Sequence, residues 1–300
     1  MALGRSMKDP ADHPLPKLRP DYLAQQEAYG DVRHPDRLVA HYMLERRLAD
    51  RLLTASASER RQLYGLLYEE LFSTLDDHPQ HTAEREACSL RVTRQLRLLR
   101  PYVDQQARFV EIGCGDAALS MAMAQTVREA VGVDVTDALL PGERSANFTF
   151  VKTDGIALPI ASQSVDLVYS NQLMEHLHPD DALEQLREIR RIIRPGGRYV
   201  CITPSRVTGP HDVSRYFDYE ATGFHVSEYD YRSLRSAFQV AGFKRFEVVF
   251  TARGRRIVAP YAIARAADLA AYALPRSWRA RFGRTRWADV LFAMVVIGRC

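Results

Sequence analysis

Residues 110–120 read VEIGCGDAALS: Glu111 sits in an apolar run, and Gly113 and Gly115 follow where the chain must turn. Glycine at such a turn lets a ligand approach the backbone with no Cβ in the way. Helical periodicity resumes after Ala117, so the first N–H groups of a helix would face the same ligand. Nineteen residues after Gly115, Asp134 ends a second apolar run, where a carboxylate can accept both hydroxyls of a ribose. The loop does not choose its cofactor alone. Gly113-x-Gly115-x-x-Ala118 satisfies the dinucleotide fingerprint, in which the final glycine can be alanine.

The elements that must hold these residues are legible from periodicity. Residues 20–105 carry apolar side chains at three-and-four spacing over 38–53, 60–75 and 85–103, which predicts a helical N-terminal cap. From 106 to 250 short β-rich runs at 108–112, 130–134, 148–151, 165–170, 198–203 and 243–250 alternate with helical ones. That alternation predicts an α/β fold with a mostly parallel sheet and ligands at the carboxyl ends of its strands. Residues 251–289 read as a basic helical insertion, and 290–300 as a final core strand. Residues 1–19 read as a Pro-rich leader.

Downstream segments separate the cofactors. TDGIALP (153–159) follows the third strand, SVDLVYSNQLMEHL (164–177) holds the fourth, and LREIRRIIRPGGRYVCITP (186–204) leads into the fifth. With VEIGCG and GVD, these pieces resemble the class I S-adenosylmethionine-dependent methyltransferases in order and spacing. The resemblance implies a Rossmann-like seven-stranded sheet in the order 3-2-1-4-5-7-6, its last strand antiparallel. It implies S-adenosylmethionine as cofactor and gives roles to matching positions. Glu111 would serve the amino-acid moiety through ordered groups, and the Gly113, Cys114 and Gly115 backbone would line the cofactor. Asp134 would take the ribose, and Asp154 the adenine amino group, with Gly155 and Ile156 at the ring edge. Asn171 and Gln172 would line the methionine side. Alanine stands at 117 where the family usually has a third glycine; a negative φ there would accommodate it.

Methyl transfer to a hydroxyl needs alignment and a proton acceptor. Segment 205–231 crowds His211, Asp212, Arg215, Tyr216 and His225 into fifteen residues, and a long loop of this content is usually functional. We expect His211 as base, assisted by Asp212, with Arg215 and Tyr216 holding substrate and His225 in reserve. His176 in MEHL is a further catalytic candidate. His178, Asp180 and Asp181 read as a helix cap, and no metal site is expected.

The chain has 300 residues and a net charge of +4, yet residues 251–300 alone carry ten arginines against Asp268 and Asp289. That basic segment suits a phosphate-bearing acceptor or peripheral contact with an anionic membrane surface; no nucleic-acid module accompanies it. The 205–231 segment is loosely similar to bacterial methyltransferases of glycan and polysaccharide synthesis. It favours a glycan or small-molecule acceptor, with a sugar hydroxyl preferred over a phenolic or polyketide metabolite. A nicotinamide-dependent oxidoreductase and a non-catalytic binding protein are the alternatives from other classes. Four scattered cysteines and no apolar run of spanning length fit a cytoplasmic location.

Overall fold

The computed structural model describes residues 15–77, 85–252 and 255–300. Its centre is one sheet: β1 (Arg108–Ile112), β2 (Glu129–Asp134), β3 (Phe148–Lys152), β4 (Val165–Asn171), β5 (Ile193–Pro204), β6 (Arg245–Ala252), β7 (Arg255–Ala259) and β8 (Ala293–Arg299). Their order is β3-β2-β1-β4-β5-β8-β6-β7. Strands β1 to β5 pair in parallel, and the last strand of the chain enters antiparallel between β5 and β6. Seven of these strands reproduce the expected order.

The eighth is an addition: Arg255–Ala259 pairs antiparallel with β6 as an edge strand, inside the 251–289 stretch that the sequence reads as a helical insertion. Ile257 and Val258 are β-branched, and Pro260 ends the strand by opening helix α8 (Tyr261–Tyr272). Two further short helices, α9 (Arg276–Phe282) and α10 (Arg286–Phe292), complete the route to β8.

Period-two alternation divides the core between two faces. Val110 and Ile112 of β1 join Val131 and Val133 in one cluster, while Phe109 joins Ala130, Leu167 and Tyr169 in the other. Glu111 shares the direction of Phe109 and therefore points at helix α5 (Ala118–Ala124), away from the first face.

The N-terminal helices, α1 (Tyr22–Tyr29), α2 (Pro35–Thr54) and α3 (Ala57–Thr74), supply a third layer of contacts; α4 (Arg85–Leu99) packs on the opposite face. The buried pair between Arg60 of α3 and Asp181 of α6 (Pro179–Ile192), bidentate at 2.7 Å, fixes α3 against the sheet. Tyr64 adds a bond to the same carboxylate at 2.8 Å and accepts from the backbone of His178. A half-exposed leader gains the same sort of anchor. Arg19 is buried, donates to the carbonyls of Arg215 and Asp218, and stacks over Tyr219, so the leader expected over 1–19 is fastened at its end, its first fourteen residues lying outside the described ones.

Candidate active site

The glycine loop leaves β1 with Gly113 and Gly115 at positive φ, +70° and +51°. The N–H groups of Gly113 and Cys114 donate to the Val133 carbonyl, which ties the loop to β2. A Cβ on Gly115 would meet no protein atom within 4 Å, so the space beside it is open to a ligand. Cys114 is buried, and burial pushes its thiol pKa up, so it is neutral and structural.

Ala117 adopts φ +54°, contrary to the negative φ under which alanine would be comfortable. That conformation costs about 1–2 kcal/mol for a residue with a Cβ. The methyl is fully buried, which returns about 0.8 kcal/mol. Burial offsets only part of that cost, and the loop keeps its glycine-like shape with alanine in place.

Asp134 stands at the end of β2. One carboxylate oxygen accepts from Gly115 N at 2.8 Å; the other accepts from Val135 N at 2.7 Å and Thr136 N at 3.3 Å. Burial raises its pKa against these three bonds. Asp154 is more exposed and accepts from Ile156 N, Ala157 N and the Arg61 guanidinium, with Gly155 at φ +86° and Ile156 buried beside it. These bonds hold its pKa down although burial opposes them. Asn171 ends β4, and Gln172 turns out of the strand at φ +55°, donating its N–H to the Ile202 carbonyl.

Glu111 faces elsewhere. Its carboxyl accepts from Ser120 Oγ of α5 at 2.6 Å, and burial raises its pKa to about 8. Between its ordinary value and about 8 the unfolded carboxyl loses its proton while the folded one keeps it. Stability therefore falls as pH rises through that window. Glu111→Gln is expected to flatten this fall, read as urea midpoints at pH 5, 7 and 9.

The second half of the site follows β4. Leu173 packs on Gly113, and Met174–His176 forms one turn of 3-10 helix, placing Glu175 and His176 beside the loop. Glu175 is fully buried. It accepts from Thr203 Oγ1 at 2.9 Å, its other oxygen has no hydrogen-bond partner, and burial lifts its pKa to about 7. His176 Nδ1 lies 3.1 Å from the Phe224 carbonyl, which sets the tautomer with the lone pair on Nε2. Its ring meets that of His225 edge-on at 4.7 Å. Glu175, His176 and His225 each bring one donor atom within 4.8 Å of the others, a set that also suits a divalent ion.

His225 is held by its ring and by its backbone. Its Nδ1 contacts Glu228 Oε1 at 2.8 Å, and its backbone N–H donates to Asp212. Burial would lower its pKa, but the Glu228 bond and the fields of Asp212 and Glu175 outweigh this and raise it to about 9. The neighbouring backbone is gripped by two carboxylates: Gly223 N donates to Asp212 and Phe224 N to Glu45. A Cβ at Gly223 would collide with both of those groups. Glu45 in turn pairs with His41 at 2.8 Å, so α2 positions this segment.

Four expectations for the 205–231 segment need correction. His211 donates its backbone N–H to the oxygen of Glu228 that also binds His225, so His225 and Glu228 stand between it and the rim. Its Nε2 lies 3.1 Å from the Ser205 carbonyl and 3.2 Å from Thr208 Oγ1, and burial lowers its pKa. Asp212 does not orient it; the Asp212 carboxyl binds Ser214, Gly223 and His225, and burial raises its pKa. Arg215 stacks on Tyr29 and donates to the carbonyls of His211 and Asp212. Tyr216 is buried and donates to Asp31. Both residues are used to fasten the loop to the N-terminal helices. His178 caps α6 through its side chain, as its position before Pro179 suggested.

Sequence reading missed Tyr68, Arg61, Glu45, Glu175 and Glu228. Burial raises the Tyr68 phenol strongly, and the charges of Asp134 and Glu175 add to this; its ring also meets His176 at 6.0 Å. Tyr68 thus spans from the ribose acid to the rim. Tyr64, Tyr68 and Phe72 recur every four residues, a stripe that reads equally well as packing.

Residues 110–201 match a methyltransferase domain family. The chain carries a class I S-adenosylmethionine-dependent methyltransferase domain. A protein of Mycolicibacterium smegmatis described as a probable S-adenosylmethionine-dependent methyltransferase is 30% identical over 137 residues, 45% of this chain and 51% of its own. A ubiquinone biosynthesis O-methyltransferase of Ruegeria pomeroyi is 32% identical over 38% of this chain and 46% of its own. The chain spans about half the length of these curated relatives. Among solved structures, the Haemonchus contortus phosphoethanolamine N-methyltransferase 1 shares the fold at a TM-score of 0.51 and 17% identity, covering 81% of this chain and 50% of that one.

S-adenosylmethionine is the cofactor of this family, and the methyltransferase domain fits it. The space beside Gly115 is open, Gly115 N is bonded to the Asp134 carboxylate at the end of β2, and the Asp154–Ile156 turn follows the neighbouring strand β3. Arg61 reaches the position expected to meet adenine through a half-exposed pair with Asp154 at 2.7 Å. Such pairs contribute about 0–1 kcal/mol. Arg61→Ala is therefore expected to change S-adenosylhomocysteine affinity by less than about fivefold in a calorimetric titration.

Proposed function

We propose that this chain is an S-adenosylmethionine-dependent O-methyltransferase whose acceptor is a sugar hydroxyl on a glycan or on a phosphate- or lipid-linked saccharide. The observation that carries the reading is the rim after β4, where Glu175, His176 and His225 converge beside the cofactor cradle. Bound S-adenosylmethionine supplies a methyl carbon that the acceptor oxygen attacks as the carbon–sulfur bond breaks, leaving S-adenosylhomocysteine. The chain's own task is to align the hydroxyl and take its proton.

His176 is the proposed base. Its Nδ1 contact with Phe224 directs the lone pair of Nε2 away from that carbonyl. Glu175, with one unpaired oxygen and a pKa near 7, supplies negative charge that favours the imidazolium. His225, already cationic at neutral pH, is a donor rather than a base. Tyr68 closes the site above them.

A second reading takes a phenolic hydroxyl, favoured by the ubiquinone biosynthesis O-methyltransferase among the relatives. Methyl-tritiated S-adenosylmethionine incubated with nucleotide sugars, sugar phosphates and catechols, with and without EDTA, tests both. Label in sugar fractions supports the first reading; label in catechols alone replaces it with the second. We also propose peripheral contact with an anionic membrane surface through the arginine-rich 251–300 segment; among the described residues, no helix is long and apolar enough to cross a membrane.

A further inference from the structure

A second cavity lies away from the glycine loop. It is a cleft of about 860 Å³ between the 205–231 segment and helices α7 (Tyr231–Val240), α8 and α9. Its size suits a small ligand or the headgroup of a larger one. Five arginines face it, and three of them are already committed. Arg206 pairs with Asp230 at 2.9 Å, Arg276 with Glu220, and Arg265 loosely with Asp268 at 3.5 Å.

The other two, Arg232 and Arg279, form no ion pair with a described residue; Arg279 Nε is buried without a hydrogen-bond partner, its guanidinium 5.1 Å over the Tyr272 ring. The acids in the wall are Glu220, Glu228 and Asp230, and Glu228 is matched by His225. The cleft therefore carries an excess of positive charge, in the guanidinium form that binds phosphate bidentately. At its inner end stands His225, whose ring is one edge-to-face contact from His176 on the rim.

We propose that this cleft is the anion subsite of the acceptor, binding a phosphate ester or pyrophosphate through Arg232 and Arg279. It rests on the methyl-transfer reading for the word acceptor, but the anion site stands or falls by itself. The phosphate is carried by a soluble sugar phosphate or by a lipid headgroup; the chemistry that recognises it is the same.

Calorimetric titration of the full chain with inorganic pyrophosphate, at low salt and with S-adenosylhomocysteine saturating or absent, tests it. One site is expected, weakened at least tenfold in the Arg232→Gln/Arg279→Gln double variant and less than that in the Arg→Lys counterpart, which keeps the charge but not the bidentate fork. Affinity for S-adenosylhomocysteine should not change in either variant. Absence of pyrophosphate binding to the wild type, or binding equal in the Gln variant, overturns the proposal. Failure of S-adenosylhomocysteine to bind would instead overturn the cofactor reading and leave the anion site untouched. Co-sedimentation with phosphatidylglycerol vesicles identifies the source. Vesicle binding lost together with pyrophosphate in the Gln variant indicates a lipid headgroup; pyrophosphate binding without vesicle binding indicates a soluble phosphate.

Discussion

Asp134→Ala is expected to weaken S-adenosylhomocysteine binding about a hundredfold. The carboxylate sits at the end of a buried strand, where its two oxygens are held by Gly115, Val135 and Thr136 N–H groups. The oxygen that accepts from Gly115 N retains a lone pair for a ribose hydroxyl, while the other is filled by Val135 and Thr136. Hydrogen bonds to a charged group contribute about 1.5–3 kcal/mol each, and a hundredfold loss is about 2.7 kcal/mol. Loss of the bond to Gly115 N also releases the loop from β2, which adds to the effect. Asp134→Asn keeps the size and some of the acceptors, so it should fall between wild type and alanine. Calorimetry with S-adenosylhomocysteine reads the series, and unchanged affinity in the alanine variant would remove Asp134 from the cofactor site.

His176→Ala is expected to lower kcat by about 10² to 10⁴, the span of general base catalysis, while S-adenosylhomocysteine affinity stays within about threefold. The ring contributes edges to Tyr68, Phe224 and His225, so some loss of packing accompanies the substitution. A fall in kcat with unaltered cofactor affinity separates chemistry from packing. The pH profile separates them further. Glu175 has its pKa raised to about 7 by burial, so its negative charge develops as pH rises through neutrality. Wild-type kcat should therefore climb across that range, and Glu175→Gln should flatten the climb. A wild-type pH profile unchanged by Glu175→Gln would remove Glu175 from the proton path.

How far the sequence reveals this site depends on whether the relevant contact is local. The glycine loop, Asp134, Asp154 and the strand order were legible because each motif fixes a strand end and its following turn within a few residues. The edge strand at 255–259 was not, since two arginines and three apolar residues before a proline give no clear period. His211 and Asp212 illustrate a different failure. They are consecutive, but Asp212 caps the 3-10 turn Val213–Tyr216 through Ser214, which turns its carboxyl into the loop and away from the His211 ring. Their actual partners, Glu228 for the His211 backbone and Gly223 and His225 for Asp212, lie eleven to seventeen residues on.

Tyr68 and Glu45 were invisible for the same reason on a larger scale. Glu45 meets Phe224 across 179 residues, and only the packing of α2 and α3 over the strand ends brings it there. The N-terminal helices therefore supply part of the rim rather than a separate cap. At Ala117 the left-handed turn is present and the methyl is buried, so alanine keeps the backbone shape that a third glycine would take.

The central claim is that the cradle at Gly113–Gly115, Asp134 and Asp154 holds S-adenosylmethionine. Parallel calorimetric titrations of the wild-type chain with S-adenosylhomocysteine and with NAD address it most directly. The account predicts one-site binding of S-adenosylhomocysteine and no heat from NAD. Binding of NAD with none of S-adenosylhomocysteine would contradict it.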